Sequence, residues 1–278
     1  IKLEGETKAK AVEMRDELAS LLREKGVEAV PDKDLKGAWL AGADLVQAKL
    51  QKANLFMAQL QEASLQEARL QKADLRRAQL QEANLREAQL QEAILSYAQL
   101  QEANLQGAKL QKADLEEAQL QKANLRKAQL QEADLSYAQL QEANLQGAKL
   151  QEADLLEAQL QKADLAVAQL QKANLEGAQL QEANLGEAQL QEANLTAANL
   201  KEAKLQGAKL QKAKLTRANL EGANLTSANL RGATFPGSNL TKATLDEAAL
   251  KTMTNYKPPR PPAALAKGAW RAKAVALS

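Results

Sequence analysis

The chain has 278 residues, 45% of them apolar and only 3% aromatic, and its 37 Lys plus Arg stand against 35 Asp plus Glu for a net charge of +2. The length admits up to two ordinary domains with an ample core, and the charge balance excludes a broadly acidic or basic surface. Neither cysteine nor histidine occurs, which removes disulfides, thiol nucleophiles, imidazole bases and the usual zinc, haem and iron–sulfur ligand sets, and leaves the compartment open.

Residues 1–30 read as an N-terminal helical cap. Positions 7–25 suit an amphipathic helix, with Ala11, Met14, Leu18 and Leu21 at helical spacing and Gly26 as a stop signal. The first ten residues lack the apolar core of a signal peptide, and no apolar run approaches the ~18 residues of a membrane helix. The chain therefore reads as soluble, cytoplasmic or secreted, with no transmembrane segment. A chain that begins at Ile1 is expected to be a fragment or a processed product.

Residues 31–252 form a repeat tract. Every fifth position from 35 to 250 is apolar, forty-four in all, each of them Leu except Phe235. Two residues before each stands Ala, with Lys33 and Ser238 as the exceptions. Ala, Leu, Gln, Glu and Lys favour helix, yet a step of five would spread the leucines around the whole circumference and leave no stripe to bury. A flat strand fails as well, because five is odd and neighbouring leucines would face opposite sides. The pattern fits a chain that bends at every repeat, with Ala and Leu inward and three residues outward, wound into coils that pair with those above and below.

From 43 to 198 the true unit is ten residues, since alternate repeats place Asn or Asp and then Gln or Lys before the leucine. Residues 91–110 and 131–150 differ only at Ile94 against Asp134, a uniformity that points to recent duplication or consensus design. Pro236 is expected to interrupt the pattern. Residues 253–262, with Pro258, Pro259, Pro261 and Pro262, read as a stiff linker, and residues 263–278 as a small basic tail containing Trp270.

Segments such as Ala83-Asn84-Leu85-Arg86-Glu87 and Ala113-Asp114-Leu115-Glu116-Glu117 resemble the pentapeptide-repeat family, whose consensus is A-[DN]-L-x-x. The resemblance implies an all-β chain, a right-handed quadrilateral β-helix of about eleven coils with an N-terminal α-helical cap, roughly 50 Å long at ~4.8 Å per coil. With the four repeats per coil that it implies, Gln59, Gln79, Gln99, Gln119, Gln139, Gln159 and Gln179 are expected to stack into one amide ladder.

Three constellations carry the functional reading. The turns after Leu55, Leu75, Leu95, Leu115, Leu135 and Leu155 gather Phe56, Met57, Arg76, Arg77, Ile94, Tyr97, Glu117, Tyr137 and Leu156 on one face, residue types enriched at protein interfaces. The column Asp114, Asp134 and Asp154 is the best catalytic or cation-holding candidate, and reads more simply as solvated turn residues because a convex rod offers no cleft. Lys201, Lys204, Lys209, Lys212, Lys214 and Arg217 make a short basic belt without the aromatics of a nucleic-acid reader, so nucleic acid is not expected as a partner.

No phosphate loop, nucleophile elbow or metal-ligand cluster occurs, so no catalytic residue, cofactor or metal is expected. The leading expectation is a non-enzymatic scaffold for a protein partner, with self-association through the solenoid ends or the tail left open. The resemblance adds two alternatives. One is a DNA-mimicking regulator of gyrase, disfavoured by the +2 charge and the absence of loop insertions. The other is an effector or adaptor of a bacterial secretion system.

Overall fold

The computed structural model describes residues 5–29, 34–253 and 275–276. Along the repeat tract, the residue just before each core leucine pairs in parallel with the residue twenty positions on, as Asn54 does with Asp74 and Asp74 with Ile94. Four pentapeptides therefore complete one coil.

The β-structure consists almost entirely of isolated bridges. Each side of a coil holds one bridged residue between two turns, and the two continuous strands among the described residues, β1 (Thr244–Leu245) and β2 (Val275–Ala276), pair antiparallel. A five-residue repeat that must also turn leaves no room for a longer strand. The interior is filled as the period requires: core leucines between positions 40 and 245 are at most 4% exposed, and from Ala43 on the alanines two residues before them are buried.

The turns explain how Glu, Lys and Gln come to occupy this fold. In each, an alanine N–H donates to the preceding leucine carbonyl, at 2.9 Å for Ala58 to Leu55 and 3.0 Å for Ala123 to Leu120. The third turn residue has a positive φ, 58° at both Glu82 and Lys122, as in a type II turn. An L residue there costs about 1 to 2 kcal/mol, which burial of the neighbouring leucine, worth ~2 kcal/mol, offsets.

Backbone hydrogen bonds satisfy most of each repeat. Leu55 N–H donates to Asp74 O at 2.7 Å, Met57 N–H to Arg76 O at 3.0 Å, and Asp74 N–H back to Ala53 O at 2.9 Å. The N–H of the second turn residue is met from within its own repeat by the Asn or Asp two positions earlier. Phe56 donates to Asn54 Oδ1 at 3.2 Å, Arg76 to Asp74 Oδ1 at 3.1 Å and Glu116 to Asp114 Oδ1 at 3.0 Å. Short Asx side chains are suited to this reach.

Glutamine repeats work between coils. Gln71 Nε2 donates to Gln89 Oε1 at 2.8 Å, Gln121 to Gln139 at 2.6 Å and Gln151 to Gln169 at 2.6 Å. The stacked glutamines from 59 to 179 do share a backbone column, but their amides do not bond straight up it. Gln99 Oε1 instead accepts from Gln81, eighteen residues earlier, at 2.5 Å. The ladder zigzags from corner to side because the turn glutamine of the coil below reaches the amide first.

Helix α1 (Gly5–Glu24) and the 3₁₀ turn Val27–Ala29 lie over the first coils. Val27 N–H donates to Lys49 O at 2.8 Å, and Arg15 Nη1 to Ala41 O at 2.7 Å. The buried side of α1 is rotated from the stripe read in the sequence: Ala19 and Leu22 are buried, whereas Met14 is 62% exposed and Leu21 is half-buried. Arg15 takes the inward position, its guanidinium 5.5 Å from the Trp39 ring centroid. Gly26 ends the helix at φ 79°, where a Cβ would lie 2.8 Å from Lys49 Cβ.

At the far end, α2 (Glu247–Thr252) follows β1. Asp246 caps it by accepting Ala249 N–H at 2.8 Å, and Thr252 Oγ1 accepts Leu230 N–H at 2.8 Å. The interruption expected at Pro236 does not occur. Arg217 N–H donates to Pro236 O at 2.8 Å, and Asn219 still pairs with Asn239. Proline falls at the second turn position, where its fixed φ fits and the ladder requires no N–H. The four prolines of the linker and Trp270 of the tail lie outside the described residues.

Candidate protein-interaction surface

The turn residues after Leu55, Leu75, Leu95, Leu115, Leu135 and Leu155 stack along one corner. Backbone bonds tie them coil to coil: Met57 N–H to Arg76 O at 3.0 Å, Arg77 to Ser96 at 3.1 Å, Tyr97 to Glu116 at 2.9 Å, Glu117 to Ser136 at 3.0 Å and Tyr137 to Leu156 at 2.8 Å. This corner brings together Phe56, Met57, Arg76, Arg77, Tyr97, Tyr137 and Leu156. Ile94 sits on the adjoining side, in the column between Asp74 and Asp114. Tyr97 and Tyr137 are each 42% exposed and Met57 47%, while Phe56 and Leu156 are half-buried.

The side chains are ordered by one another. The Phe56 ring has Lys36 Nζ 5.4 Å and Arg76 Cζ 5.7 Å from its centroid, and Arg77 Cζ stands 5.7 Å from the Tyr97 centroid. Arg76 also forks onto Asp74, Nε to Oδ1 at 2.9 Å and Nη2 to Oδ2 at 2.6 Å. That hydrogen-bonded guanidinium holds the Asp74 carboxyl below its ordinary pKa and is itself pushed up. Tyr97 OH donates to Glu117 Oε1 at 3.1 Å, and this bond raises the phenol pKa.

Two residues beneath the corner escaped the sequence reading. Ser96 and Ser136 are buried, at 6% and 7% exposure, and their hydroxyls donate to Asp114 Oδ2 at 2.6 Å and Asp134 Oδ1 at 2.5 Å. The duplicated Ser-Tyr dipeptide was the available signal. Met57, Arg77, Tyr97 and Tyr137 also occupy the left-handed turn position, with φ of 56°, 55°, 61° and 59°.

The other candidates are less developed as sites. Asp114, Asp134 and Asp154 do stack, but each carboxylate already accepts the N–H of its own turn, from Glu116, Ser136 and Leu156. Among the described residues no group of carboxylates is arranged to hold a metal ion. In the basic belt, Lys204, Lys209 and Lys214 fall in three different columns, and Lys201 and Lys212 pair with Glu221 at 3.9 Å and Glu192 at 3.5 Å.

Pentapeptide repeats match the chain in eight copies, over residues 34–55, 58–96, 98–136, 138–177, 178–222 and 218–251. The chain belongs to the pentapeptide-repeat family. Among solved members it is similar to HetL, a pentapeptide-repeat protein involved in heterocyst differentiation regulation in Nostoc sp. strain PCC 7120. The two are 39% identical over 71% of this chain and 91% of HetL, with a TM-score of 0.67. QnrB1, a plasmid-mediated fluoroquinolone resistance protein, is 18% identical over 61% of this chain and 87% of its own, with a TM-score of 0.48. Rfr23 from Cyanothece 51142 is 39% identical over 36% of this chain and 61% of its own, with a TM-score of 0.24. No curated protein sequence is a significant match. Membership of the pentapeptide-repeat family and the likeness to HetL make the tract a right-handed β-helix. Among the described residues no helix is long and apolar enough to cross a membrane.

Proposed function

We propose that this pentapeptide-repeat protein is a non-enzymatic interaction scaffold. In this reading a rigid rod of about eleven coils, closed at its start by α1, binds a protein partner through the corner of Phe56, Met57, Arg76, Arg77, Tyr97, Tyr137 and Leu156, with Ile94 beside it. The observation that carries the reading is the row of outward aromatic, methionine and arginine side chains on a corner whose backbone is bonded coil to coil. Such side chains are enriched at interfaces, and a lattice that already orders them leaves little entropy to lose on binding. The likeness to HetL, a protein involved in regulating differentiation, is in keeping with a binding role.

The test is a double variant, Tyr97→Ala with Tyr137→Ala, whose rings stand two coils apart, about 10 Å, within reach of one partner element. Capture of a partner from lysate of the source organism is expected to fall at least about tenfold, with the melting curve nearly unchanged. The control is Glu102→Ala with Glu142→Ala, which takes the same turn position at φ of 60° and 59° on another corner. Equal capture by both double variants and the wild type contradicts the reading.

A further inference from the structure

A shallow groove of about 1020 Å³ runs along a different part of the rod, near its start. Its cations are Arg23, Lys49, Arg69, Lys109 and Lys127, and its acids are Glu67 and Glu87. Each acid already has a partner: Glu67 accepts from Gln47 Nε2 at 3.0 Å, and Glu87 pairs with Arg86 at 3.2 Å. Two cations are also engaged, Arg23 with Asp44 and Lys49 with the Glu24 carbonyl at 3.1 Å. Arg69, Lys109 and Lys127 form no ion pair among the described residues.

The lysines of a neighbouring corner behave differently. Lys72 pairs with Glu92 at 3.2 Å, Lys112 with Glu132 at 3.3 Å and Lys172 with Glu152 at 3.5 Å. Positive charge is thus paired within the corner, whereas in the groove five cations face two acids and a net positive charge remains. Its lining includes no aromatic ring on which a base could stack, and of its four glutamines Gln89 and Gln129, whose oxygens accept from Gln71 and Gln111, offer amide N–H groups to a peptide carbonyl. Arg69 and Lys109 stand two coils apart, about 10 Å, the length of three extended residues.

We infer that this groove is a docking site for an extended acidic polypeptide segment, its carboxylates held by Arg69, Lys109 and Lys127 and its backbone by the glutamine amides. The site is separate from the aromatic corner, so the two can be tested independently.

The experiment measures fluorescence anisotropy of a labelled twelve-residue oligoglutamate on the full chain, with a twelve-nucleotide oligothymidylate and inorganic polyphosphate as competing probes. The oligoglutamate is expected to bind with a Kd of about 10 µM at ~50 mM salt and to weaken as salt rises. Arg69→Gln, Lys109→Gln and Lys127→Gln together are expected to weaken it at least tenfold. The first two substitutions put into the groove column the residue already present at Gln89 and Gln129, so the fold is kept. The charge-matched control, Lys72→Gln with Lys112→Gln and Lys172→Gln, is expected to change binding less than twofold, as is Tyr97→Ala with Tyr137→Ala. The inference is overturned by no binding to wild type, by equal weakening in the groove and control triples, or by either phosphate polymer binding more tightly than the peptide.

Discussion

The corners that follow glutamine sides and those that follow asparagine or aspartate sides share one turn geometry but use their side chains in opposite ways. After a glutamine side, the second turn residue commits its amide to the next coil, as Gln121 does to Gln139, and the third often joins an ion pair between coils, as Lys122 does with Glu102 at 4.0 Å. After an asparagine or aspartate side, the short side chain caps the turn from within, as Asn124 does for Arg126 N–H at 3.2 Å. Both turn side chains are then released from the repeating amide and ion-pair pattern, and the side-chain bonds between coils that remain, such as Ser96 to Asp114 and Tyr97 to Glu117, are particular to the residues present. Sequence variety collects at those positions, in Phe56-Met57, Arg76-Arg77, Ser96-Tyr97 and Ser136-Tyr137. The repeating bonds between coils thus fall on one kind of corner, and the proposed recognition surface on the other.

Both kinds of corner rest on the leucine axis, so the largest effect is expected there. Leu135 is fully buried, and Leu135→Lys places an unpaired charge in the core at a cost of about 4 kcal/mol or more. Urea unfolding is expected to lose its cooperative transition; a wild-type midpoint would contradict the inward assignment.

Within a repeat the division of labour predicts unequal costs. Asn124→Ala removes the cap on Arg126 and the bond to Asn104 at 3.2 Å, and is expected to lower stability by about 1 to 2 kcal/mol. Tyr137→Gln, on a released side chain, is expected to cost less than about 0.5 kcal/mol. Equal costs in denaturant titrations would erase the distinction.

Asp74 gives the smallest and most specific signature. The hydrogen bonds from Arg76 lower its carboxyl pKa in the folded chain. A depressed folded-state pKa adds stability that is present above the unfolded value, near 3.9, and is lost as pH falls through the folded value. Between about pH 5 and about pH 2 the wild type is expected to lose stability faster than Asp74→Asn. Asp246, lowered by the Ala249 N–H, leaves part of the slope in both proteins. Identical pH profiles would show that the Arg76 fork contributes nothing.

The register was legible because Leu and Ala recur every five residues without a slip, and the aromatic corner follows from residue numbers taken in steps of twenty. Other features depend on three-dimensional detail that composition hides. The positive φ at Glu82, Lys122 and Tyr97 carries no glycine signal, because the lattice around each turn imposes it. The inward turn of Arg15 in place of Met14 reflects a bond to the Ala41 carbonyl in the coil below. Pro236 fits because it falls at the second turn position, which composition alone does not distinguish from a break in the pattern. The cation–ring pairs at Phe56 and Tyr97, and the unpaired cations of the groove, depend on which side chains of successive coils meet.

The division between corners is tested most directly by comparing the melting temperatures of two quadruple variants. One is Met57→Lys, Arg77→Glu, Tyr97→Lys and Tyr137→Lys, which alternates charge with Glu117 and Glu157 at turn positions that Glu and Lys already occupy elsewhere. The other is Gln81→Ala, Gln101→Ala, Gln121→Ala and Gln141→Ala, which removes four amide bonds between coils. The first is expected to melt within about 3 °C of wild type and the second at least about 8 °C below it. Equal shifts, or a larger loss at the aromatic corner, would contradict the assignment of cohesion to one kind of corner and recognition to the other.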